Sequence, residues 1–371
     1  MEAWGWVSAT AGGLLAVTVL ADIFFTTLHP DIEGPIAKAV QRSAWAAAVG
    51  LGNRLRRIRR QLLAFVGPFM VVLTFVVWVA LFIVGIALIV WPNLGSYRAE
   101  GEIELLTFFD ALYYSGITVS VLGYGDITPV TPWLQLVAVA ASLSGFGMLT
   151  AVVTYIIELV GSLDERNRLS LRVHDETGGT ERGVQLVLRH APAGTRALED
   201  RYVAWALLAR QVEDKLHRYA LTSLYYRSRD PAYDPEGTLR IVGEAVVAGY
   251  LLATDPEAPV RPAVEELDLA TTRLMGTVAE QYLDDTVMDA LEAPDVVEDD
   301  RRWVEQMSEV MVQALGDRWS PGDLDPAAVA TAARLRAFLT ALAHLTDWTP
   351  ADGPLPTGES DHHRTQPKGA G

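Results

Sequence analysis

Cysteine is absent from all 371 residues. The chain therefore has no disulfide framework and no thiolate metal site, and cysteine usage gives no indication of its compartment. Motifs for phosphate and metal binding are missing as well: we find no strand followed by a glycine-rich loop, no Walker motif, no HExxH and no EF-hand loop. With no catalytic group of residues in view, we predict a protein that is not an enzyme and that needs no cofactor and no metal site.

Positive charge is scarce relative to negative charge. The chain has 30 Lys and Arg residues against 46 Asp and Glu residues, a net charge of −16. Residues 1–160 carry a net charge of −2, and the remainder carries −14. The N-terminal part is therefore nearly neutral and the C-terminal part is acidic. This distribution argues against a nucleic-acid partner, because proteins that bind nucleic acids present basic surfaces.

Half of the residues are hydrophobic, and they concentrate in three long runs. These runs are Trp4 to Leu28, residues 62–91 and residues 132–160. A transmembrane helix needs roughly 20 apolar residues, so we predict three spans. Asp22 is the one charge in the first run, and two interpretations of it stay open. It is a functional residue of the membrane interior, or it lies near the cytosolic end and pairs with an arginine or faces another helix.

Five arginines precede the second run: Arg54, Arg56, Arg57, Arg59 and Arg60. They indicate a cytosolic anchor under the positive-inside rule, with anionic lipid as a further partner. The spacing of Arg54, Arg57 and Arg60 is also that of a voltage-sensing helix, but the chain has too few spans for a sensor domain. If the arginines lie in the cytosol, the second run leads outwards and the third run returns. We therefore expect a multi-pass plasma-membrane protein with its N-terminus outside and its large C-terminal part in the cytosol.

Between the second and third runs lies ALYYSGITVSVLGYGDITP, residues 111–129, which is too polar and too short for a span. It ends in Gly123-Tyr124-Gly125-Asp126, and glycines on both sides of a tyrosine favour an unusual backbone. Irregular backbone at membrane depth is tolerated only where it is buried in protein or lines a watery path. The stretch resembles the pore loop of potassium channels, whose filter reads TVGYG. Leu122 stands at the position of the filter valine, and Val121 at that of the filter threonine.

The resemblance implies a role for each residue of this stretch. Backbone carbonyls of Val121, Leu122, Gly123, Tyr124 and Gly125 would form the selectivity filter and hold potassium ions. The expected filter support comprises Tyr113, Tyr114, Thr118, Ser120 and Asp126, with Asp126 hydrogen-bonded to Tyr113. Since valine has no side-chain oxygen, we expect the innermost ion site to be weakened at Val121. One loop supplies a quarter of a filter, so each chain would assemble with three identical subunits.

The same resemblance assigns an outer helix to residues 62–91, a pore loop to 104–128 with its helix over 104–119, and an inner helix to 132–160. Two glycines, Gly145 and Gly147, lie near the middle of the inner helix. Glycine costs a helix about 1 kcal/mol relative to alanine. These glycines are either a gate hinge or sites of close helix packing, and the sequence leaves both interpretations open.

The C-terminal part has no run that could span a membrane, and its apolar spacing is helical. We predict helices over 195–227, 236–253, 260–291, 297–316 and 325–346, while residues 173–190 fit either a helix or a strand. Trp205, Tyr202, Tyr219, Tyr225 and Tyr226 are expected in a core or a subunit interface. The domains are then an N-terminal helix (1–30), a basic connector (31–61), a pore module (62–161), an α-helical cytosolic domain (162–348) and a disordered tail (349–371).

The fold class predicted from these features is an all-α integral membrane protein with a helical cytosolic domain. The function predicted is a tetrameric, potassium-selective channel that conducts ions passively. Two alternatives stay open. One is a weakly selective monovalent cation channel, favoured by Val121. The other is a non-conducting sensor or scaffold that uses the pore module only for assembly.

Overall fold

The computed structural model describes residues 3–28, 34–54, 59–99, 107–218, 228, 230–255, 257–316, 319 and 322–346. These residues form two compact units, one up to Gly161 and one from Ser162 onwards. Both units are helical, and the first also contains one small β ladder. The predicted fold class, an all-α membrane protein with a helical domain, is thereby confirmed.

The first unit is built from four long helices and one short one. They are α1 (Ala3–Leu28), α2 (Pro35–Arg54), α3 (Arg59–Val90), α4 (Phe108–Val119) and α5 (Pro132–Glu176), of which the last extends into the second unit. Helices α1, α2 and α4 all pack against α3. Three segments are long and apolar enough to cross a membrane, namely Ala3–Thr27, Val66–Ser96 and Pro132–Glu176. They correspond to the three predicted spans.

Several predicted helix bounds differ from those observed. The outer helix begins at Arg59 rather than at residue 62, and it ends at Val90, before a 3-10 helix over Trp91–Ser96. The inner helix does not end at residue 160 but continues to Glu176. Its charged extension is held by side-chain pairs one turn apart, such as Arg172 with Glu176 at 3.0 Å. No glycine or proline interrupts residues 162–177, so nothing local stops the helix earlier.

Asp22 joins three helices of the first unit. Its carboxyl group is buried and accepts hydrogen bonds from the backbone N–H groups of Ile36 (2.7 Å) and Ala37 (3.1 Å) and from the indole N–H of Trp78 (2.7 Å). Of the two contacts considered for it near the cytosolic end, an arginine or another helix, the described part of the chain shows the second, and these three groups are its partners there. The expectation that it faces another helix is correct. Asp22 satisfies the N–H groups of the first turn of α2, which have no partner inside that helix.

Besides the end of α5 and two short 3-10 helices (Ala191–Ala193 and Pro231–Tyr233), the second unit contains seven α-helices within the described residues. They are α6 (Val184–His190), α7 (Thr195–Arg218), α8 (Pro235–Leu252), α9 (Arg261–Tyr282), α10 (Asp285–Glu292), α11 (Glu298–Leu315) and α12 (Pro326–Thr346). The helix predicted over 260–291 is in fact two, because Leu283 and Asp284 have extended backbones. Residues 184–190 are helical, so the choice left open there between a helix and a strand is decided in favour of the helix. Residues 219–227 and the tail from 347 lie outside the described residues.

Helix α8 is the centre of the second unit, and its residues are buried on every side. Helices α6, α9 and α12 pack around it. Tyr202 and Trp205 of α7 are fully buried, and the Tyr202 hydroxyl donates a hydrogen bond to the Ala245 carbonyl at 2.7 Å. These two aromatic residues therefore belong to a core, whereas Tyr219, Tyr225 and Tyr226 lie outside the described residues.

Glu244 is a buried carboxyl group in this core, and it connects α8 to the start of α6. It accepts hydrogen bonds from Arg240 at 3.0 Å and from the backbone N–H of Gly183 at 2.8 Å. Burial raises the pKa of Glu244, and the neighbouring Arg240 and the Gly183 N–H act in the opposite direction. Buried carboxyl groups are stable only with such partners, so this contact holds α6 in place.

Candidate functional site

Helix α4 is a short helix with a well-formed N-terminus. It begins after Thr107, whose hydroxyl accepts a hydrogen bond from the Asp110 N–H while the Asp110 carboxyl accepts one from the Thr107 N–H. This reciprocal capping box fixes where a helix starts. The predicted start at residue 104 is therefore wrong, since Thr107 is extended and the helix begins at Phe108. Its predicted end at Val119 is correct.

After α4 the backbone turns its N–H groups back towards the helix. The N–H of Val121 donates to the Thr118 carbonyl at 3.1 Å, and those of Leu122 and Gly123 both donate to the Ile117 carbonyl, at 3.0 and 3.2 Å. The stretch is therefore tied to the last turn of α4 without being helical itself. These bonds also decide the orientation of the peptide groups that follow.

Backbone conformation alternates along residues 121–125. Val121, Gly123 and Gly125 have positive φ angles of 63°, 57° and 80°, whereas Leu122 and Tyr124 do not. Val121 is the one non-glycine residue with positive φ in the described part of the chain. Such a conformation is an outlier for a β-branched residue and costs of order 1–3 kcal/mol. Backbone strain of this kind concentrates at functional sites, where the surrounding structure maintains it.

The carbonyl oxygens of this stretch are open. Within the described residues, no hydrogen bond reaches the carbonyls of Val121, Leu122, Gly123 or Tyr124. The side chains of Val121, Leu122 and Tyr124 are 53%, 59% and 69% exposed in the single chain. Backbone carbonyls at membrane depth require a polar partner, so a row of open carbonyls can coordinate a cation or water.

Tyr113 and Tyr114 of α4 have different partners. The Tyr113 hydroxyl donates a hydrogen bond to the Asp126 carboxyl at 2.8 Å, as predicted. The Tyr114 ring is buried and packs edge-on against Tyr97, with ring centroids 4.9 Å apart. The structure therefore brings together Tyr113 and Asp126 across the loop, while Tyr114 faces a residue that the sequence did not single out.

Thr118 and Ser120 lie at the C-terminal end of α4. The Thr118 carbonyl receives the N–H of Val121. The Ser120 N–H donates to the Gly116 carbonyl at 3.0 Å, which completes the last turn of the helix. Both residues thus hold the turn into residues 121–125 through their backbone atoms.

Tyr97 belongs to a β ladder that the sequence analysis missed. Strand β1 (Tyr97–Ala99) pairs antiparallel with β2 (Ile127–Pro129), so that Arg98 lies opposite Thr128. Strands of three residues are too short to show an alternating pattern. The ladder directly follows Asp126 and ties the end of the loop to the end of the outer helix.

Gly145 and Gly147 have different surroundings. A Cβ atom at Gly145 would collide with the carbonyl group of Val119, the last residue of α4, whereas one at Gly147 would meet nothing within 4 Å. Gly145 is therefore a point of close approach between α5 and the end of α4. This contact supports the interpretation of Gly145 as a site of close helix packing. Gly147 has no such contact within the described residues.

The arginine cluster is only partly described. Arg54 is the exposed last residue of α2, and Arg59 and Arg60 are the first residues of α3. Arg56 and Arg57 lie outside the described residues, as do Glu100, Glu102 and Glu104 of the loop before α4.

A family model matches the region that contains this site, and parts of the chain are similar to known membrane proteins. Residues 69–162 match a family model described as "Ion channel". The chain is 27% identical over 172 residues to the uncharacterised membrane protein YdjJ of Bacillus subtilis. This alignment covers 45% of this chain and 49% of that protein. It is 36% identical over 90 residues to two-pore potassium channel 5 of Arabidopsis thaliana, covering 23% of this chain and 22% of the relative.

A third relative is the voltage-gated potassium channel of Aeropyrum pernix, 38% identical over 50 residues, which are 14% of this chain and 17% of that channel. The alignments thus span less than half the length of each of these three relatives. No solved structure matches the chain significantly. The similarity supports an ion channel module in a multi-pass membrane protein.

Proposed function

We propose that the protein is a tetrameric channel that conducts potassium. This proposal is supported by the match of residues 69–162 to a family model described as "Ion channel" and by the similarity of parts of the chain to named potassium channels. The filter is formed by the backbone carbonyls of Val121, Leu122, Gly123 and Tyr124, together with Gly125. A potassium ion loses its water shell to these oxygens, and ions in neighbouring sites repel one another onwards. The ion is the only species bound in this mechanism, and no chemical reaction is involved.

The observation that carries this proposal is the row of open carbonyls with alternating backbone conformation. In an extended strand, successive carbonyls point to opposite sides. Residues that alternate between positive and negative φ direct successive peptide groups to a similar side, so that their carbonyl oxygens can line one path, as in a carbonyl-lined filter. Glycine at 123 and 125 permits this alternation without a side-chain clash. The stretch is thereby suited to cation coordination rather than to packing.

Assembly follows from what one chain leaves exposed. A single loop supplies one wall of a filter, and four such loops surround the ions in potassium channels. The exposed side chains of Leu122 and Tyr124 and the open carbonyls need protein or water around them at membrane depth. Four identical chains around an axis provide both. We further propose a plasma-membrane location with the N-terminus outside and Arg54 and its neighbours against anionic lipid on the cytosolic side.

Ion flux into proteoliposomes tests the function. The full-length protein is expected to carry a potassium analogue such as rubidium into vesicles well above the level of empty vesicles. Gly125→Val is the matched control. Gly125 has a φ of 80°, which does not suit a branched side chain, so we expect this variant to lose flux through the filter. Absence of flux from intact wild-type tetramers would support the non-conducting scaffold instead. Flux that is unchanged in the Gly125→Val variant would mean that ions take another path.

Val121→Thr is expected to sharpen selectivity for potassium over sodium. The change keeps the β-branched shape and adds one oxygen to the innermost site. If that oxygen contributes about 1 kcal/mol, as a typical hydrogen bond does, the permeability ratio rises about fivefold. Val121→Ile, which adds no oxygen, is the control and leaves the ratio unchanged. Reversal potentials in mixed potassium and sodium solutions measure both variants.

The same recordings address the second candidate function. A wild-type channel with nearly equal permeability to the two ions would be a weakly selective cation channel, which the missing oxygen at Val121 favours. If Val121→Thr and Val121→Ile changed selectivity equally, the side-chain oxygen would have no part in it.

A further inference from the structure

A groove lies between α2 and α3, with a volume of about 720 Å³. This is within the range of about 300–1,000 Å³ that is typical of ligand pockets. Small residues of α2 line one side and large apolar residues of α3 line the other. They include Ala39, Ser43 and Ala47 on α2 and Phe69, Leu73 and Val77 on α3. They recur every fourth residue on each helix, so the groove follows both helix axes.

Among the described residues that line the groove, Ser43 is the only polar one, and its hydroxyl already donates a hydrogen bond to the Ala39 carbonyl at 2.7 Å. A polar ligand would lose its water in this groove without compensation. The lining therefore selects hydrocarbon.

The two ends of the groove differ in charge. Leu51 and Val66 line the end next to the connection between α2 and α3, and Ala39 and Val77 line the far end. Arg54 is exposed one turn beyond Leu51, and α3 begins with Arg59 and Arg60. No Asp or Glu occurs anywhere in residues 34–99, so the sequence places no acid beside these arginines. One end of an apolar groove is thus cationic.

The length of the groove also fits one leaflet of a bilayer. From Val66 to Val77 the helix rises by roughly 16 Å, at about 1.5 Å per residue. Half of a hydrocarbon core of about 30 Å is about 15 Å. Helix α2 runs beside this part of α3, although it is not one of the three segments that could span a membrane by itself.

We propose that this groove binds one acyl chain of an anionic phospholipid of the cytosolic leaflet, whose phosphate group lies against Arg54. The acyl chain runs from the cationic end towards Val77, and the arginine supplies the charge-assisted contact to the phosphate. The assignment rests on the membrane orientation stated under the proposed function. A second copy of this chain is a poorer occupant, because its own arginines would face this cationic end.

Lipid retention by the full-length protein tests the site without any use of ion flux. The purified protein in detergent is titrated with phosphatidylglycerol or with phosphatidylcholine of the same acyl chains, and bound lipid per chain is measured by native mass spectrometry. We expect wild type to retain phosphatidylglycerol more strongly. Ala47→Phe fills the groove and is expected to weaken retention at least about tenfold, because the buried methylene contacts are lost. Ala46→Phe, one residue along α2 and outside the groove lining, is the matched control and binds as wild type does.

Arg54→Gln tests the contact to the lipid headgroup separately from the contact to the acyl chain. It is expected to reduce phosphatidylglycerol retention about fivefold, the effect of one basic residue at an anionic surface. The effect on phosphatidylcholine is expected to be smaller, because its choline ammonium group offsets the charge of its phosphate. Equal retention of the two lipids by wild type, or equal effects of Ala47→Phe and Ala46→Phe, would overturn the proposal. A change of oligomeric mass in Ala47→Phe with unchanged lipid would identify a second copy as the occupant, which also overturns it. These readouts stay valid even if the protein proves not to conduct.

Discussion

Gly145→Ala is expected to abolish ion flux and to destabilise the protein by about 1–3 kcal/mol, the usual cost of overpacking. A methyl group at this position would collide with the carbonyl of Val119, which is backbone and cannot rotate away. Val119 is the last residue of α4 and lies two residues before Val121. Relief of the collision must therefore displace either α5 or the turn that positions residues 121–125. Rubidium flux and thermal unfolding of the purified protein measure the two effects.

Gly147→Ala is the matched control for this change. It lies two residues away in the same helix, and its Cβ would meet nothing within 4 Å. Alanine favours the helix by about 1 kcal/mol over glycine, so the variant should be at least as stable as wild type and should conduct normally. Loss of flux in Gly147→Ala, with stability kept, would instead identify Gly147 as the hinge. Normal flux in Gly145→Ala would show that the close approach to Val119 has no functional importance.

Asp22→Ala is expected to lower the free energy of unfolding by about 3–9 kcal/mol. The change leaves three buried donors without a partner, and each costs about 1–3 kcal/mol. Two of them are the N–H groups of Ile36 and Ala37 in the first turn of α2, and the third is the Trp78 indole. Gly34, which precedes α2, has no side chain of its own to replace Asp22. Thermal or denaturant unfolding in detergent measures the loss.

Trp78→Phe is the appropriate comparison for Asp22→Ala. It removes one donor and retains the two hydrogen bonds to α2. If the three bonds contribute equally, roughly a third of the loss in unfolding free energy is expected, together with any change in the packing of the side chain. Asp22→Asn keeps one acceptor oxygen and should fall between the two. If Asp22→Ala unfolded no more easily than Trp78→Phe, the contact to α2 would contribute nothing to stability. Asp22 would then be free to have the other role considered for it, that of a functional membrane charge.

Much of the architecture was predictable because it depends on local pattern. Three apolar runs longer than a bilayer requires predict three helices whatever surrounds them. The hydrogen bond between Tyr113 and Asp126 was predictable from the resemblance of residues 111–129 to a known loop. Helix ends were less predictable. The pore helix begins at Phe108 because Thr107 and Asp110 cap each other, and the inner helix continues to Glu176 because ion pairs extend it beyond its apolar part.

Other features could not be found in the sequence, because they depend on residues distant along the chain. Asp22 is a charge in an apolar run, and its partners lie 14, 15 and 56 residues away. Tyr97 is one aromatic residue among many until β1 pairs with β2 and brings it to Tyr114. The groove between α2 and α3 is lined by alanines that by sequence alone indicate only a helix.

The sequence by itself determined the composition, the number of spans, and the motif from Gly123 to Asp126, because each of these depends on which residues are neighbours in the chain. Only the tertiary structure decided that Gly145 and not Gly147 is a point of close contact, and that the open carbonyls of residues 121–124 have no partner in the described chain. The physical reason is that two glycines in one helix have the same local preferences. What distinguishes them is the backbone of α4, which reaches one of them and not the other.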